Sequence, residues 1–219
     1  VVVGDYAANN LTTGSCNVIL GAGAGQQGTI TAEHSILVGV FAGCKLTSGS
    51  CNTFLGPEAG YGGCGAITGN GNIAMGRHAL CKVTSGCCNI AIGDCSQGTG
   101  AVTGSNNVSI GIGAAQKLTS GVCNVAVGYN AGFEHTTGCH NVTMGALAGH
   151  QICTGSYNIA FGYYAGCDIK TGSSNIMIGQ CAGRNRENTS DNIFIGKNAG
   201  CCEGTGSSNI GIGNHALKG

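Results

Sequence analysis

An alternation of apolar and polar residues recurs along this chain about every seventeen residues. Its fixed point is a glycine that follows the pattern Asn-x-x-x and occurs thirteen times from Gly4 to Gly213, with the last six intervals all seventeen residues long. Self-similarity at a constant period indicates a repeat protein, in which each repeat stacks on its neighbours. We call each repeat a coil and number its positions from the asparagine, so that the recurrent glycine stands at position 5.

Positions 2 and 4 of the coil are apolar almost throughout, as in Ile176 and Ile178. Mostly β-branched residues separated by one position predict a short β-strand, and we expect the side chains of positions 2 and 4 to face the interior of the coil. The glycine at position 5 then ends the strand in a turn with positive φ. Position 8 is alanine in twelve of the thirteen coils, which predicts a tight corner.

The second half of the coil repeats the alternation more weakly. Position 12 is often apolar, as in Leu46 and Ile169, position 10 is often cysteine, and the residue between them is polar. This predicts a second half-buried strand, closed by a Thr-Gly or Ser-Gly return turn. We therefore predict an all-β fold, a parallel β-solenoid (β-roll) of about 13 coils with a 17-residue repeat, forming one domain over residues 1–219. Because the chain opens and closes within a repeat, we expect a section of a longer or processed chain.

Position 1 is asparagine in almost every coil. Identical amides at the same place in stacked strands can hydrogen-bond from one coil to the next, as Asn does in other β-arrays. We therefore predict an asparagine ladder. Its members are Asn17, Asn52, Asn72, Asn89, Asn107, Asn124, Asn141, Asn158, Asn175, Asn192 and Asn209.

Position 3 lies between two residues assigned to the interior, so it is predicted to face outward. It is apolar in ten of the thirteen coils, and soluble monomers rarely expose a continuous apolar stripe. Because a repeat presents the same stripe on every copy of the chain, we predict that copies cover one another in a homotrimer; a neighbouring domain or cap is the alternative. The largest residues of this predicted oligomer interface are Val2, Ile19, Leu37, Phe54, Met177 and Phe194.

Charge and cysteine content narrow the possible environments. Charged residues make up 8% of the chain and the net charge is zero, so nothing indicates binding to nucleic acid or to an anionic membrane surface. No apolar run reaches the roughly 18–20 residues of a membrane span. Fifteen cysteines would suggest the disulfide framework of a small secreted protein, but consecutive coils never carry cysteine at the same position. We expect most of them to be small buried hydrophobic side chains.

The sequence offers no set of residues with the spacing of a catalytic, cofactor-binding or metal site. His78 and His215 share a coil position but lie eight coils apart, and the nine acidic residues form no pair that recurs at a fixed position. We therefore predict a protein that is not an enzyme, with no cofactor and no metal ligands. Lys117 and Glu134 occupy the same position of adjacent coils, which predicts a cross-strand ion pair.

The repeat also resembles a known kind of protein. Coils of the form Asn-[Ile/Val]-x-[Ile/Phe/Met]-Gly-x-x-Ala-Gly…Thr-Gly-Ser-x, such as Asn158–Ser174, cover the whole chain. They resemble the repetitive stalks of viral tail-fibre and adhesin-like proteins, and are similar to the head of trimeric autotransporter adhesins, a left-handed parallel β-roll with three chains side by side. The resemblance implies a homotrimer, a fibrous role, an extracellular or virion-surface location, and attachment to a host-surface glycan or protein receptor.

From the repeat and this resemblance we expect a non-catalytic, adhesin-like rod that forms part of a surface attachment fibre. An extracellular filament of solenoids stacked end to end is the alternative, because both terminal coils offer unpaired parallel edges. An ice-binding solenoid is a third candidate. It is the weakest of the three, since the threonines cluster at the return turn instead of forming two flat columns.

Overall fold

The computed structural model describes residues 1–201, 204 and 206–217, and over these residues the chain is all-β with no helix. It is a parallel β-solenoid of thirteen short strands with a 17-residue repeat, which confirms the predicted fold class. The strands are β1 (Val2–Val3), β2 (Val18–Leu20), β3 (Ile36–Val38), β4 (Thr53–Leu55), β5 (Ile73–Met75), β6 (Ile90–Ile92), β7 (Val108–Ile110), β8 (Val125–Val127), β9 (Val142–Met144), β10 (Ile159–Phe161), β11 (Ile176–Ile178), β12 (Ile193–Ile195) and β13 (Ile210–Ile212).

The chain forms two compact units, Val1–Ile110 and Gly111–Gly219. In the N-terminal unit β1 to β7 pair in chain order, and in the C-terminal unit β8 to β13 do the same, always in parallel. Paired residues lie one coil apart, as Ile159 does from Ile176. Both the single domain over residues 1–219 and the trimer remain predictions.

The strands place position 3 in the interior and positions 2 and 4 outside, so the predicted orientation of the strand is wrong. Phe54 at position 3 is fully buried, whereas Ile159 at position 2 is 40% exposed and Phe161 at position 4 is 51% exposed. The reason lies at position 1, where Asn158 is also fully buried. Side chains alternate along a strand, so a buried asparagine at position 1 directs position 3 inward and positions 2 and 4 outward.

The turn after each strand uses left-handed backbone, as the recurrent glycine predicts. Gly162 has a φ of 136°, and a Cβ atom there would lie 2.7 Å from the carbonyl oxygen of Gly179 in the next coil. Both facts require glycine at position 5. Tyr164 at position 7 and Ser174 at position 17 have φ values of 57° and 60°, a region that non-glycine residues can occupy. Gly166 at position 9 also has a positive φ, 55°, so four positions with positive φ help to close this coil on itself.

The predicted second strand does not form in the described residues. Only isolated parallel bridges occur there, joining Leu11 to Ile30, Leu46 to Ile67 and Val83 to Val102. The Leu46 N–H explains this, because it donates to the Gly43 carbonyl of its own coil at 2.8 Å and is used in a turn. The burial pattern is as predicted, since Leu46 at position 12 is fully buried while Lys45 is not.

Positions 3 and 9 share the interior volume of each coil. Where position 3 is the large Phe54, position 9 is Gly60, and a Cβ atom on Gly60 would lie 2.5 Å from the Phe54 ring. The next coil exchanges the sizes, with Ala74 at position 3 and a fully buried Leu80 at position 9. Because protein interiors are packed as densely as organic crystals, the exchange keeps each coil filled while its residues vary.

Candidate functional site

The outer face of the strands is an apolar surface on both units. None of the thirteen strands contains a charged residue. Its exposed members come from positions 2 and 4, and they stand in two columns because each strand pairs in register with the next. We call this surface the strand face. Its exposed members are Val3, Ile36, Met75, Ile110, Ile159, Phe161, Ile178, Ile210 and Ile212.

The oligomer interface predicted from the sequence does not lie on the strand face. Ile19, Leu37, Phe54, Met177 and Phe194 are each at most 1% exposed within the chain itself, and only Val2 is partly exposed. These five residues form the interior of their coils, so a charge introduced there would test folding and not assembly. The exposed apolar stripe exists, but positions 2 and 4 supply it.

Hydrogen bonds connect the position-1 asparagines from coil to coil. The Asn158 Oδ1 atom accepts from the backbone N–H and from the Nδ2 atom of Asn175, both at 3.0 Å. The Asn158 Nδ2 atom donates to the Gly172 carbonyl of its own coil at 2.8 Å. The same backbone contact joins Asn52, Asn72, Asn89 and Asn107, and also Asn124, Asn141, Asn158, Asn175, Asn192 and Asn209.

Serine interrupts the asparagines at one place. Ser35 stands at position 1 and donates its backbone N–H to the Asn17 Oδ1 atom at 2.8 Å. Its shorter side chain still accepts from the Asn52 N–H through Oγ, at 3.2 Å. The hydrogen-bonded contact between coils therefore continues through Ser35, with fewer hydrogen bonds. The role of the asparagine ladder is structural.

The cysteines do not follow the expectation of burial. The fourteen described cysteines form no disulfide, and only Cys44 and Cys167 are buried; Cys202 lies outside the described residues. Burial raises the pKa of Cys81 to about 11 and that of Cys167 to about 12, so both remain thiols at neutral pH. The exposed cysteines at position 17 stand at a left-handed corner, where the side chain points outward. They are Cys16, Cys51, Cys88 and Cys123.

The described residues contain one cluster of metal-ligating side chains that was not predicted from the sequence. A ring nitrogen of His78, a carboxylate oxygen of Asp94 and the sulfur of Cys95 all lie within 4.8 Å of one another. Glu58 adds a carboxylate oxygen 3.1 Å from His78 Nε2. The sequence does contain a signal of this cluster, because Glu58, His78 and Cys95 occupy position 7 of three successive coils. His215 shares this position with His78 but lies eight coils away and is not part of the cluster.

The electrostatics of this cluster depend on a neighbouring arginine. Arg77 Nη2 lies 2.5 Å from Asp94 Oδ2, and its hydrogen bond holds the pKa of that carboxyl below its usual range. The second Asp94 oxygen, Oδ1, lies 3.3 Å from Cys95 Sγ. Partial burial, and then Asp94, raises the pKa of the Cys95 thiol. A nitrogen, an oxygen and a sulfur donor thus converge beside one fixed positive charge.

A polar groove lies in the C-terminal unit, and its charges are paired. Lys170 Nζ donates to Glu187 Oε1 at 2.8 Å, and Thr171 Oγ1 donates to Asn188 Oδ1 at 2.8 Å. These bonds join side chains one coil apart, as does the predicted pair of Lys117 and Glu134, which is confirmed with Nζ and Oε1 at 2.7 Å. The groove is lined by Gln151, Asp168, Lys170, Asn185, Glu187, Asn188, Thr189 and Gly204.

Comparison with known proteins leaves the fold as the guide to function. No family model, no curated protein and no solved structure matches this chain. Among the described residues there is also no helix with the length and apolar character needed to cross a bilayer.

Proposed function

We propose that this chain is a structural rod that assembles with copies of itself through the strand face, as part of a fibre for surface attachment. The exposed apolar columns at positions 2 and 4 carry this proposal. In the N-terminal unit, seven strands spaced about 4.8 Å apart span about 29 Å. Six of them have three residues and β1 has two, so a strand length of about 10 Å gives about 300 Å² of surface. The largest apolar patch of a typical monomer is about 300–600 Å² and is often functional.

The regularity of the strand face favours a second copy as the partner. Its side chains repeat at the spacing of paired strands, so a partner fits along its length only if it carries ridges at the same spacing. Another copy of the chain meets this condition at every coil, and apolar columns of one kind pack well against themselves, as in the dry interfaces between stacked sheets. The strands carry no charge that would select a charged partner.

A trimer is the assembly we propose. Three copies placed around a common axis cover all three strand faces at once, which closes the assembly and leaves no apolar column exposed. This agrees with the resemblance of the repeat to fibre stalks and trimeric adhesin heads. Attachment to a host-surface glycan or protein receptor, and a location outside the cell or on a virion, form part of the same proposal.

The threonines support a structural role over ice binding. Thr47, Thr119 and Thr136 each donate the hydroxyl to a carbonyl of the next coil, at 3.0, 3.0 and 2.9 Å. These hydroxyls therefore connect coils instead of forming an outward array. The strand face itself consists almost entirely of aliphatic, methionine and phenylalanine side chains at positions 2 and 4.

A matched pair of substitutions tests the proposal. Phe161 on the strand face and Tyr163 just beyond it are both 51% exposed, so Phe161→Asp and Tyr163→Asp introduce the same charge at equal exposure. We expect Phe161→Asp to reduce the fraction of assembled chain in sedimentation velocity at least about tenfold, because an interface would bury the new charge, while Tyr163→Asp leaves assembly unchanged. Equal sedimentation of both variants and the wild type would refute the strand face as the interface.

Electron microscopy separates the proposed fibre from the filament alternative. Assembly through the strand face alone yields discrete short particles of one length. Particles that grow without limit along one axis would instead support end-to-end stacking of solenoids.

A further inference from the structure

The turn at position 7 brings four potential ligand side chains together in the N-terminal unit. Glu58, His78 and Cys95 occupy this position in three successive coils, all with left-handed φ values of 55°, 56° and 52°. Equal backbone geometry in stacked coils places their side chains in one column. Asp94 precedes Cys95 at position 6 and joins the column from the side.

The geometry of three of these groups suits a metal ion. The His78 ring nitrogen, the Asp94 oxygen and the Cys95 sulfur lie within 4.8 Å of one another. Tetrahedral zinc places neighbouring ligand atoms about 3.5 Å apart, given metal–ligand bonds of about 2.0–2.3 Å. The side chains are only partly buried, so small rotations can close the difference without moving the coil.

The chemistry of the donors selects the class of ion. An imidazole nitrogen, a cysteine sulfur and a carboxylate oxygen are the three ligand types that proteins use for zinc, and the Cys95 thiol would release its proton when the ion binds. Calcium and magnesium prefer oxygen ligands throughout. We propose that His78, Asp94 and Cys95 bind a divalent transition-metal ion of the zinc class, with a fourth position open to water.

Two neighbouring residues have opposite effects on the affinity of this site for a metal ion. Glu58 Oε2 lies 3.1 Å from His78 Nε2, where it can hold the ring as carboxylates commonly hold metal-bound histidines. Arg77 Nη2 lies 2.5 Å from Asp94 Oδ2 and competes with a cation for the carboxylate. Arg77 therefore weakens the binding of metal, and its removal should strengthen it.

A titration with Co²⁺ as the zinc substitute tests the proposal on the intact chain, with its thiols kept reduced by a non-chelating phosphine. Bound Co²⁺ should show intense visible bands of a tetrahedral ion together with a sulfur-to-cobalt charge-transfer band. Cys95→Ser should abolish the charge-transfer band, and His78→Gln should raise the Kd at least about tenfold, since loss of even an outer-shell partner costs 10–100-fold. Cys181→Ser is the matched control, because Cys181 also stands at position 7 but lies outside the cluster.

Arg77→Gln provides a second test that a damaged fold cannot imitate. Removing this positive charge should lower the Kd for Co²⁺, whereas a structural loss would raise it. The proposal is overturned if the spectrum and Kd of Cys95→Ser and His78→Gln equal those of the wild type. It is overturned equally if Cys181→Ser, and not Cys95→Ser, removes the charge-transfer band.

Discussion

The exchange of volume between positions 3 and 9 makes a quantitative prediction about the interior. Phe54 is fully buried against Gly60, while the next coil places a buried Leu80 against Ala74. Phe54→Ala alone should cost about 3–5 kcal/mol of unfolding free energy through the cavity it leaves. Gly60→Leu alone should cost about 1–3 kcal/mol or more, because the added Cβ atom would lie 2.5 Å from the Phe54 ring and overpack the coil.

The double variant Phe54→Ala/Gly60→Leu recreates the pair that the neighbouring coil already uses. Leu80 has a φ of 51°, close to the 56° of Gly60, so leucine is tolerated in this left-handed conformation. We therefore expect the double variant to be more stable than Phe54→Ala, with a coupling energy of at least about 2 kcal/mol between the two substitutions.

Urea unfolding of the wild type, the two single variants and the double variant measures this coupling. Because solenoids can unfold locally, hydrogen exchange of the β4 amides should be followed in the same four proteins. If the two costs simply add, positions 3 and 9 do not share volume and the packing argument is refuted.

Two further predictions concern polar groups in the interior. His135 is fully buried at position 12, where adjacent coils carry Leu118 and Ile152, and neither ring nitrogen has a hydrogen-bond partner among the described residues. Burial lowers the pKa of His135 from 6.5 to about 4. The folded state therefore favours the neutral ring, and stability present above about pH 6.5 should fall by up to about 1.4 kcal/mol per pH unit on the way down to pH 4. His135→Leu should remove this slope in urea unfolding at a series of pH values, and an unchanged slope would contradict the assignment. Asn158→Ala should cost about 3 kcal/mol or more, because the Asn175 N–H and the Gly172 carbonyl lose buried partners. Asn158→Ser should cost about 1 kcal/mol less, since Ser35 shows that a hydroxyl can accept the N–H of the next coil. Thermal unfolding of both variants checks this, and equal losses would count against the proposed contribution of the hydrogen bonds.

The sequence predicts the coil well because its period is carried by residues with few substitutes. Only glycine fits the φ of 136° at Gly162, and Asn158 recurs because its amide satisfies the next coil. The sequence also encodes the orientation of the strand, because positions 1 and 3 lie on the same face of the strand and position 1 is the asparagine of the ladder. The prediction of orientation was wrong because it relied on hydrophobicity alone. Positions 2 and 4 are as apolar as core positions, although Phe161 at position 4 is half exposed. A protein that buries an asparagine and exposes a phenylalanine reverses the usual ranking.

The cluster around His78 was harder to predict because irregular coil lengths hide it. Glu58 and His78 are twenty residues apart, whereas His78 and Cys95 are seventeen apart, so no fixed motif links them. Only the alignment by coil position brings them into one column. The prediction of a second strand was wrong for a different reason. The Leu46 N–H donates within a turn of its own coil, and the alternation of apolar and polar side chains does not reveal this hydrogen bond.

Sedimentation equilibrium of the unmodified chain, over a wide range of concentrations, tests the central claim of self-assembly through the strand face most directly. The chain has a mass of 21.5 kDa, and the account predicts a species of three times this mass that persists on dilution. A well-behaved monomer at every concentration would contradict it, because the exposed columns of isoleucine, valine, methionine and phenylalanine would then have no partner copy.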